Sequence, residues 1–118
     1  MEAGVTAMRW YEKIISAHTA VTSAVSHVER MKSERYFVWT EDGTNDLVTG
    51  SGHTEKAVTG STSLFTKDEF DPWADRLGEE FDRAGIAWER NYFDFEEDTG
   101  FFHIGWDWTV TDDGEVQS

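Results

Sequence analysis

The fold is decided by the stretch Phe101-Phe102-His103-Ile104-Gly105-Trp106-Asp107-Trp108-Thr109-Val110. From Phe102 to Val110 every second residue is apolar, and most residues between them are small or polar. A period of two predicts a β-strand that buries one face in a core. The residues 96–100, Glu-Glu-Asp-Thr-Gly, form a predicted turn, and residues 86–95 before them form a predicted strand. The sequence therefore predicts a β-hairpin near the C-terminus.

A helix is predicted directly before this hairpin. Asp71 is a suitable N-cap, because its carboxylate accepts hydrogen bonds from the free N–H groups of the first turn. Pro72 suits the first helical position, and Gly85 suits the left-handed position that ends a helix. Gly78 lies inside the helix, where glycine costs about 1 kcal/mol relative to alanine. A close approach of the helix to a sheet explains this glycine.

The N-terminal half of the chain predicts one more helix and two more strands. Apolar residues at helical spacing predict a helix over residues 8–20, and β-forming segments predict strands over 35–41 and 57–66. Residues 42–56 hold few apolar side chains, and we expect a functional loop there, as a mobile arm or an open hairpin. Residues 21–28, rich in Ser, Thr and Val, fit either a helix or an extended segment.

This order of elements predicts the α+β class. We expect a small, mostly antiparallel sheet of about four strands, with both helices packed on one face. The 118 residues suit a single domain. Its ordered core is predicted over residues 8–110, followed by a polar, frayed tail over residues 111–118.

The charge of the chain excludes several classes of function. The 24 Asp and Glu against 10 Lys and Arg give a net charge of −14, which repels phosphate backbones and anionic membranes. The absence of cysteine excludes disulfides and thiolate chemistry. The N-terminus lacks a secretory pattern, and no run approaches the about 18 apolar residues of a membrane span. We therefore expect a cytoplasmic protein that binds neither nucleic acid nor membrane.

The glycine-rich and acidic segments contain no recognised ligand motif. Gly50-Ser51-Gly52-His53 lacks the Lys-Ser/Thr pair of a phosphate-binding loop and the third glycine of a dinucleotide fingerprint. A calcium-binding loop that started at Asp42 or Asp94 would require glycine at its sixth position. Leu47 and Thr99 stand there instead. We interpret the acidic residues near Asp94 as a solvated turn.

No side chains form a recognisable catalytic or metal-binding set. The histidines, which lack metal-ligand spacing, are His18, His27, His53 and His103. His103 and Asp107 share a strand face but are too far apart to pair, and we expect no nucleophile beside them. The tryptophans, each of which has a structural role available, are Trp10, Trp39, Trp73, Trp88, Trp106 and Trp108. We therefore predict no catalytic, cofactor-binding or metal-binding residues and no enzymatic activity.

Four segments together resemble a known group of proteins. They are the aromatic strand 36–42, residues 59–67 ending in Leu-Phe-Thr-Lys, the amphipathic helix that closes before Gly85-Ile86, and the turn 96–100 with the strand Phe102-His103-Ile104-Gly105-Trp106-Asp107-Trp108. In this pattern the chain resembles small structural proteins of the head–tail and tail modules of long-tailed phages and prophages. The similarity is greatest to the tail-terminator or tail-completion group.

The resemblance implies a non-enzymatic part of a virion. Members of this group have a small sheet flanked by helices and assemble as rings, commonly hexameric, at the head-facing end of the tail tube. There they stop tube growth and offer a surface to the head connector. The implied partners are other copies of the chain, the tail tube and the head connector. The chain would be monomeric before assembly in the host cytoplasm and part of the virion afterwards. No binding residue is carried over, and residues 42–56 are the segment that we expect to reach a neighbouring copy or the tube lumen.

Three alternative functions remain open from the sequence. A DNA-mimic inhibitor, of the anti-restriction or anti-CRISPR type, would suit the charge and the small size, although the acidic residues are dispersed rather than spaced along one surface. Another head–tail connector or stopper protein is barely distinguishable from a terminator by sequence. A small hydrolase is a third alternative, for which the sequence shows no motif.

Overall fold

The strands form one five-stranded mixed sheet in the order β1-β2-β3-β5-β4. The computed structural model describes residues 8–48 and 54–112, with side chains described for residues 8–44 and 56–112. Along the chain, the elements are α1 (Trp10–Thr19), β1 (Val25–His27), β2 (Arg35–Val48), β3 (Thr54–Thr66), α2 (Pro72–Ala84), β4 (Ala87–Glu96) and β5 (Phe101–Thr111). Only β1 and β2 are parallel, and the other neighbours are antiparallel. The predicted α+β class is therefore confirmed.

The core lies between the two helices and one face of the sheet. On β5 the alternating residues Ile104, Trp106, Trp108 and Val110 are at most 2% exposed, whereas Asp107 between them is exposed. The core residues that the helices add are Ile14, Ala17, Ala74, Leu77 and Phe81. This is the face that the period of two predicted, and it carries both helices. We call the other side of the sheet the open face.

The predicted signals at both ends of α2 are confirmed. Asp71 accepts a hydrogen bond from the backbone N–H of Trp73 over 2.9 Å, and Gly85 ends the helix with φ of 74°. The predicted close approach at Gly78 is also confirmed. A methyl group at this position would lie 2.9 Å from the ring of Trp88 on β4. The helix therefore lies against the sheet at a distance that only glycine permits without movement of the tryptophan.

The predicted count of about four strands was too low. The fifth strand, β1, lies in the segment 21–28 whose conformation the sequence left open. Residues Val25–His27 pair with the middle of β2, opposite Phe37, Val38 and Trp39. A strand of three residues has too little pattern to be predicted, because its conformation is stabilised by the neighbouring strand.

Of the two forms expected for residues 42–56, a mobile arm or an open hairpin, the structure shows a hairpin, but every residue that it describes there is strand and not loop. β2 continues to Val48 and β3 begins at Thr54, so an extended hairpin replaces the loop. The turn signal after Glu41 marks a β-bulge, because the register shifts between Glu41 and Gly43. Residues 42–56 show no alternation of apolar and polar residues that would have predicted these strands. Residues 49–53, which include the motif around Gly50, lie outside the described residues.

At the C-terminus, β5 ends at Thr111, one residue beyond the predicted core. Residues 113–118 of the predicted polar tail lie outside the described residues.

Candidate assembly surface

The histidines do not come together in the described residues. His18 is fully buried and forms hydrogen bonds in the core, whereas His27 lies on the surface beside Glu41 with 2.7 Å between Nε2 and Oε1. His53 lies outside the described residues. In the part of the chain that the structure describes, no group of three or more His, Cys, Asp or Glu is arranged to hold a metal ion.

The expectation that no nucleophile lies beside His103 was wrong, because the neighbouring strand places a serine there. The register between β3 and β5 brings Ser63 Oγ to 2.7 Å from His103 Nε2. Asp107 does not complete a triad, because it accepts a hydrogen bond from the side-chain amide of Asn91. The imidazole stacks on Phe65, with ring centroids 4.5 Å apart, and its pKa is lowered mainly by burial. The Ser63–His103 pair is thus held by packing on the open face.

A basic side chain covers one end of the open face. Arg30, in the connection between β1 and β2, lies over the ring of Phe65 at 3.9 Å and over that of Phe101 at 5.9 Å. Its guanidinium also pairs with Glu96 at 3.1 Å, and this hydrogen bond lowers the pKa of the Glu96 carboxyl. At this end of the open face, the rings of Phe65 and Phe101 are therefore covered by Arg30 of the same chain.

The β2–β3 hairpin extends beyond the sheet as a two-stranded ribbon. Pairing between β3 and β5 ends where Ala57 faces Thr111. Beyond that point, residues 46–48 pair only with residues 54–56 in the described structure, and we call these two segments the arm. A two-stranded ribbon is marginally stable in water. The described pairing of the arm is thus limited to its own two strands, apart from a hydrogen bond from the N–H of Asp112 to the carbonyl oxygen of Lys56.

The second exposed feature is β4, which lies at one edge of the sheet. Its residues are exposed over almost the whole strand. The side chains of Tyr92, Phe93 and Phe95 are 48%, 53% and 44% exposed. An edge strand presents unpaired backbone groups and is a ready template for another chain. Three exposed aromatic residues on such a strand are typical of an interaction surface.

Sequence reasoning placed a strand here but missed its exposure. The signal was present, because Tyr92 and Phe93 are adjacent and therefore point to opposite faces. A strand with aromatic residues on both faces is either buried on both sides or exposed on both sides. The charged residues on either side of this pair, Arg90 and Asp94, fit the exposed alternative.

Neither described helix has the length and apolar character that crossing a membrane requires.

Comparison with solved structures shows that the fold is shared with a virion protein. The chain is similar to a chain in a structure titled "Virion of native gene transfer agent (GTA) particle", with a TM-score of 0.56. The two chains have 13% sequence identity, and the match covers 88% of this chain and 91% of the other. At this level of identity the likeness shows the fold alone. No protein-family model and no curated protein matches the sequence.

Proposed function

We propose that the protein is a non-enzymatic structural component of a phage virion, a tail terminator that forms a hexameric ring at the head-proximal end of the tail tube. The observation that carries the proposal is the fold, which extends over almost the full length of a chain from a gene transfer agent virion. This fold agrees with the role that the sequence resemblance implies. The chain would be made and kept in the host cytoplasm until assembly.

The projection of the arm beyond the sheet supports the proposal of a ring. A ring uses heterologous contacts, in which one surface of a subunit meets a different surface of the next subunit. The arm, residues 46–48 and 54–56, projects beyond the third strand of its own sheet and therefore reaches outside the subunit. The molecule is correspondingly elongated, with a longest dimension of 51 Å. We propose that the arm contacts a neighbouring copy or the tail tube.

The net charge supports late assembly. At −14, free copies repel one another in solution, which keeps them apart until a tail tube supplies compensating contacts. The tail tube and the head connector are the partners that this role requires. Neither nucleic acid nor a membrane is a partner in this proposal.

To test this role, the gene is interrupted in an inducible phage that carries it, and the particles produced are then viewed by negative-stain electron microscopy. A terminator predicts full heads beside unattached tails of irregular, overlong length, and a plasmid copy of the gene restores virions. Unattached tails of normal length would indicate a connector or stopper rather than a terminator. Normal virions would contradict the structural role.

The charge also favours a second candidate, an acidic DNA-mimic inhibitor. A net charge of −14 on a small domain suits a protein that occupies the basic groove of a nuclease. This candidate predicts normal virions from the interrupted gene. It also predicts inhibition of a restriction or CRISPR nuclease by the purified chain, lost at high salt because exposed charges are screened.

A further inference from the structure

The β4 edge offers aromatic contacts above and below an incoming strand. On the open face, the side chain of Tyr92 lies across Gly105 of β5. The contact is close, because a methyl group added to Gly105 would be 2.9 Å from Tyr92 Cβ. On the helix face, Phe93 and Phe95 contact Phe102, with ring centroids 6.0 and 4.8 Å apart. A segment that paired with β4 would therefore place its alternate side chains against aromatic rings on both faces.

The same edge carries a strong negative charge. Residues 87–98 hold five carboxylates and one basic residue, Arg90, and one of the carboxylates, Glu96, is already paired with Arg30 at 3.1 Å. Arg90 lies 3.7 Å from Asp75 of α2, so its charge is already partly compensated. Glu89 lies directly opposite Asp107 on β5, and both residues are exposed. Like charges in directly opposite positions destabilise a sheet. A cation between them would remove this cost.

The charge argues against a second copy of the chain as the occupant. The opposite edge of the sheet consists of β1 and, past its end at His27, the part of β2 that contains Glu41 and Asp42, which are both exposed. Pairing of this edge with β4, or of β4 with another β4, would set acidic residues against acidic residues. The partner that fits has the opposite charge.

We infer that the edge of β4 is a docking site for an extended segment of a different protein, in which lysine or arginine alternates with apolar residues. The segment adds to the sheet as a sixth strand beside β4. Its apolar side chains pack on Phe93 and Phe95 on the helix face, and its basic side chains lie beside Glu89 and Asp107 on the open face. This inference does not rest on the ring, because it concerns one subunit and a partner of different composition.

The test measures binding of labelled ten-residue peptides to the purified full-length chain by fluorescence anisotropy. One peptide alternates lysine with valine, a second alternates glutamate with valine, and a third alternates lysine with serine. We expect the lysine–valine peptide to bind and the glutamate–valine peptide not to bind. Raising NaCl from about 50 to about 300 mM should weaken binding, because it screens exposed charges.

Variants locate the site and separate its two components. Phe93→Ser together with Phe95→Ser should weaken binding of the lysine–valine peptide by at least about tenfold, a loss that corresponds to about 1.4 kcal/mol. Glu89→Gln with Asp107→Asn should weaken binding and reduce its salt dependence. Ile15→Ser is the matched control, because Ile15 is 42% exposed on α1, away from the edge. Circular dichroism checks that each variant is folded.

The outcomes decide the inference independently of the ring. Absence of binding by the lysine–valine peptide would overturn it, and so would equal binding of the glutamate–valine peptide. Equal binding by the double phenylalanine variant and the wild type would place the peptide elsewhere and also overturn it. Equal binding of the lysine–serine and lysine–valine peptides would also overturn it, because the apolar side chains would then contribute nothing to binding. Each of these results leaves the interrupted-gene experiment unaffected.

Discussion

Thr62 Oγ1 lies 2.9 Å from Nε2 of His18, at the centre of the core. The other ring nitrogen of His18 lies 2.7 Å from the carbonyl oxygen of Ile14, which only accepts, so Nδ1 carries the proton. Nε2 then accepts from the hydroxyl of Thr62, and the indole N–H of Trp108 donates to Thr62 Oγ1 over 3.0 Å. Burial keeps the imidazole neutral, and this arrangement of donors and acceptors fits the neutral ring.

The pH dependence of stability should therefore follow His18. Burial lowers the pKa of His18 to about 4, although the hydrogen bond with Ile14 opposes this effect. The unfolded state takes up a proton near pH 6.5 and the folded state only near pH 4. The free energy of unfolding should thus fall by up to about 1.4 kcal/mol per pH unit as the pH decreases through this window. Urea unfolding between pH 7.5 and pH 4.5 measures it.

Two variants isolate the contribution of His18 from that of the carboxylates. His18→Gln should lower stability at pH 7.5 and flatten its pH dependence. His27→Gln is the control on the surface, where the side chain lies exposed beside Glu41, and at pH 7.5 it should destabilise the protein less than His18→Gln does. A histidine ring in position 18 that titrates near pH 6.5 by NMR would contradict the neutral core.

Replacement of Asp71 should be among the most destabilising substitutions of a polar residue, because its carboxylate is buried at the N-terminus of α2. Asp71 is 2% exposed and accepts hydrogen bonds from Arg35 Nε at 2.8 Å and from Thr66 Oγ1 at 2.6 Å, besides capping α2. Asp71→Ala removes the cap of α2 and the acceptor of the buried Thr66 hydroxyl, whereas Arg35 is 41% exposed and stays hydrated, so the change should cost about 2 kcal/mol. Asp75→Ala, whose side chain is 82% exposed, should cost less than about 1 kcal/mol.

The Asp71 carboxylate also makes the stability of the protein depend on pH in the acid range. Burial raises the pKa of Asp71, but the hydrogen bonds from Arg35, Thr66 and the N–H of Trp73 outweigh it, and the pKa lies below the usual value. A lowered pKa contributes stability above about pH 3.9, which is lost as the pH falls towards the folded-state value. Asp71→Asn should remove this part of the acid denaturation curve. An unchanged curve would show that the pair with Arg35 does not form.

Gly60 should tolerate no side chain. A methyl group there would lie 2.4 Å from the ring of Trp108 and 2.5 Å from the carbonyl oxygen of Thr40. Because Trp108 is buried, Gly60→Ala should destabilise by about 2 kcal/mol or more through overpacking. Gly43→Ala is the matched control in the neighbouring strand, since its methyl group would meet only Thr59 Oγ1 at 3.2 Å. Equal thermal stability of the two variants would contradict the packing of β3 against Trp108.

Shortening the arm should separate folding from assembly. Asn45 and Ala57 face each other across the hairpin, so residues 46–56 can be replaced by Asn-Gly, which forms a two-residue turn. The free energy of unfolding should change by less than about 1 kcal/mol, because the core remains complete. In the interrupted-gene phage, the shortened chain should fail to restore attached tails of normal length. Full restoration would contradict a contact between the arm and a neighbour or the tube.

The sequence predicted the elements that carry a local signal. The alternation in β5 and the caps of α2 at Asp71 and Gly85 depend on neighbouring residues, and Gly78 marks a close approach that its own position reveals. The arm could not be predicted as strand, because residues 46–48 and 54–56 show no alternation of apolar and polar residues. The edge position of β4 depends on strand order, which no local pattern encodes.

The candidate surface depends on the same long-range information. Ser63 meets His103 only through the register of β3 on β5, and Glu89 faces Asp107 only through the register of β4 on β5. The net charge can be read from the composition. That part of it lies along a sheet edge depends on the position of β4 in the strand order.

The most direct measurement of the central claim locates the protein on the particle. The interrupted-gene phage is complemented with a chain that carries a C-terminal tag, and purified particles are labelled with gold against the tag for electron microscopy. The account predicts label at the junction between head and tail, on particles with tails of normal length. Particles of normal form that carry no label, from cells that express the tagged chain, would contradict it.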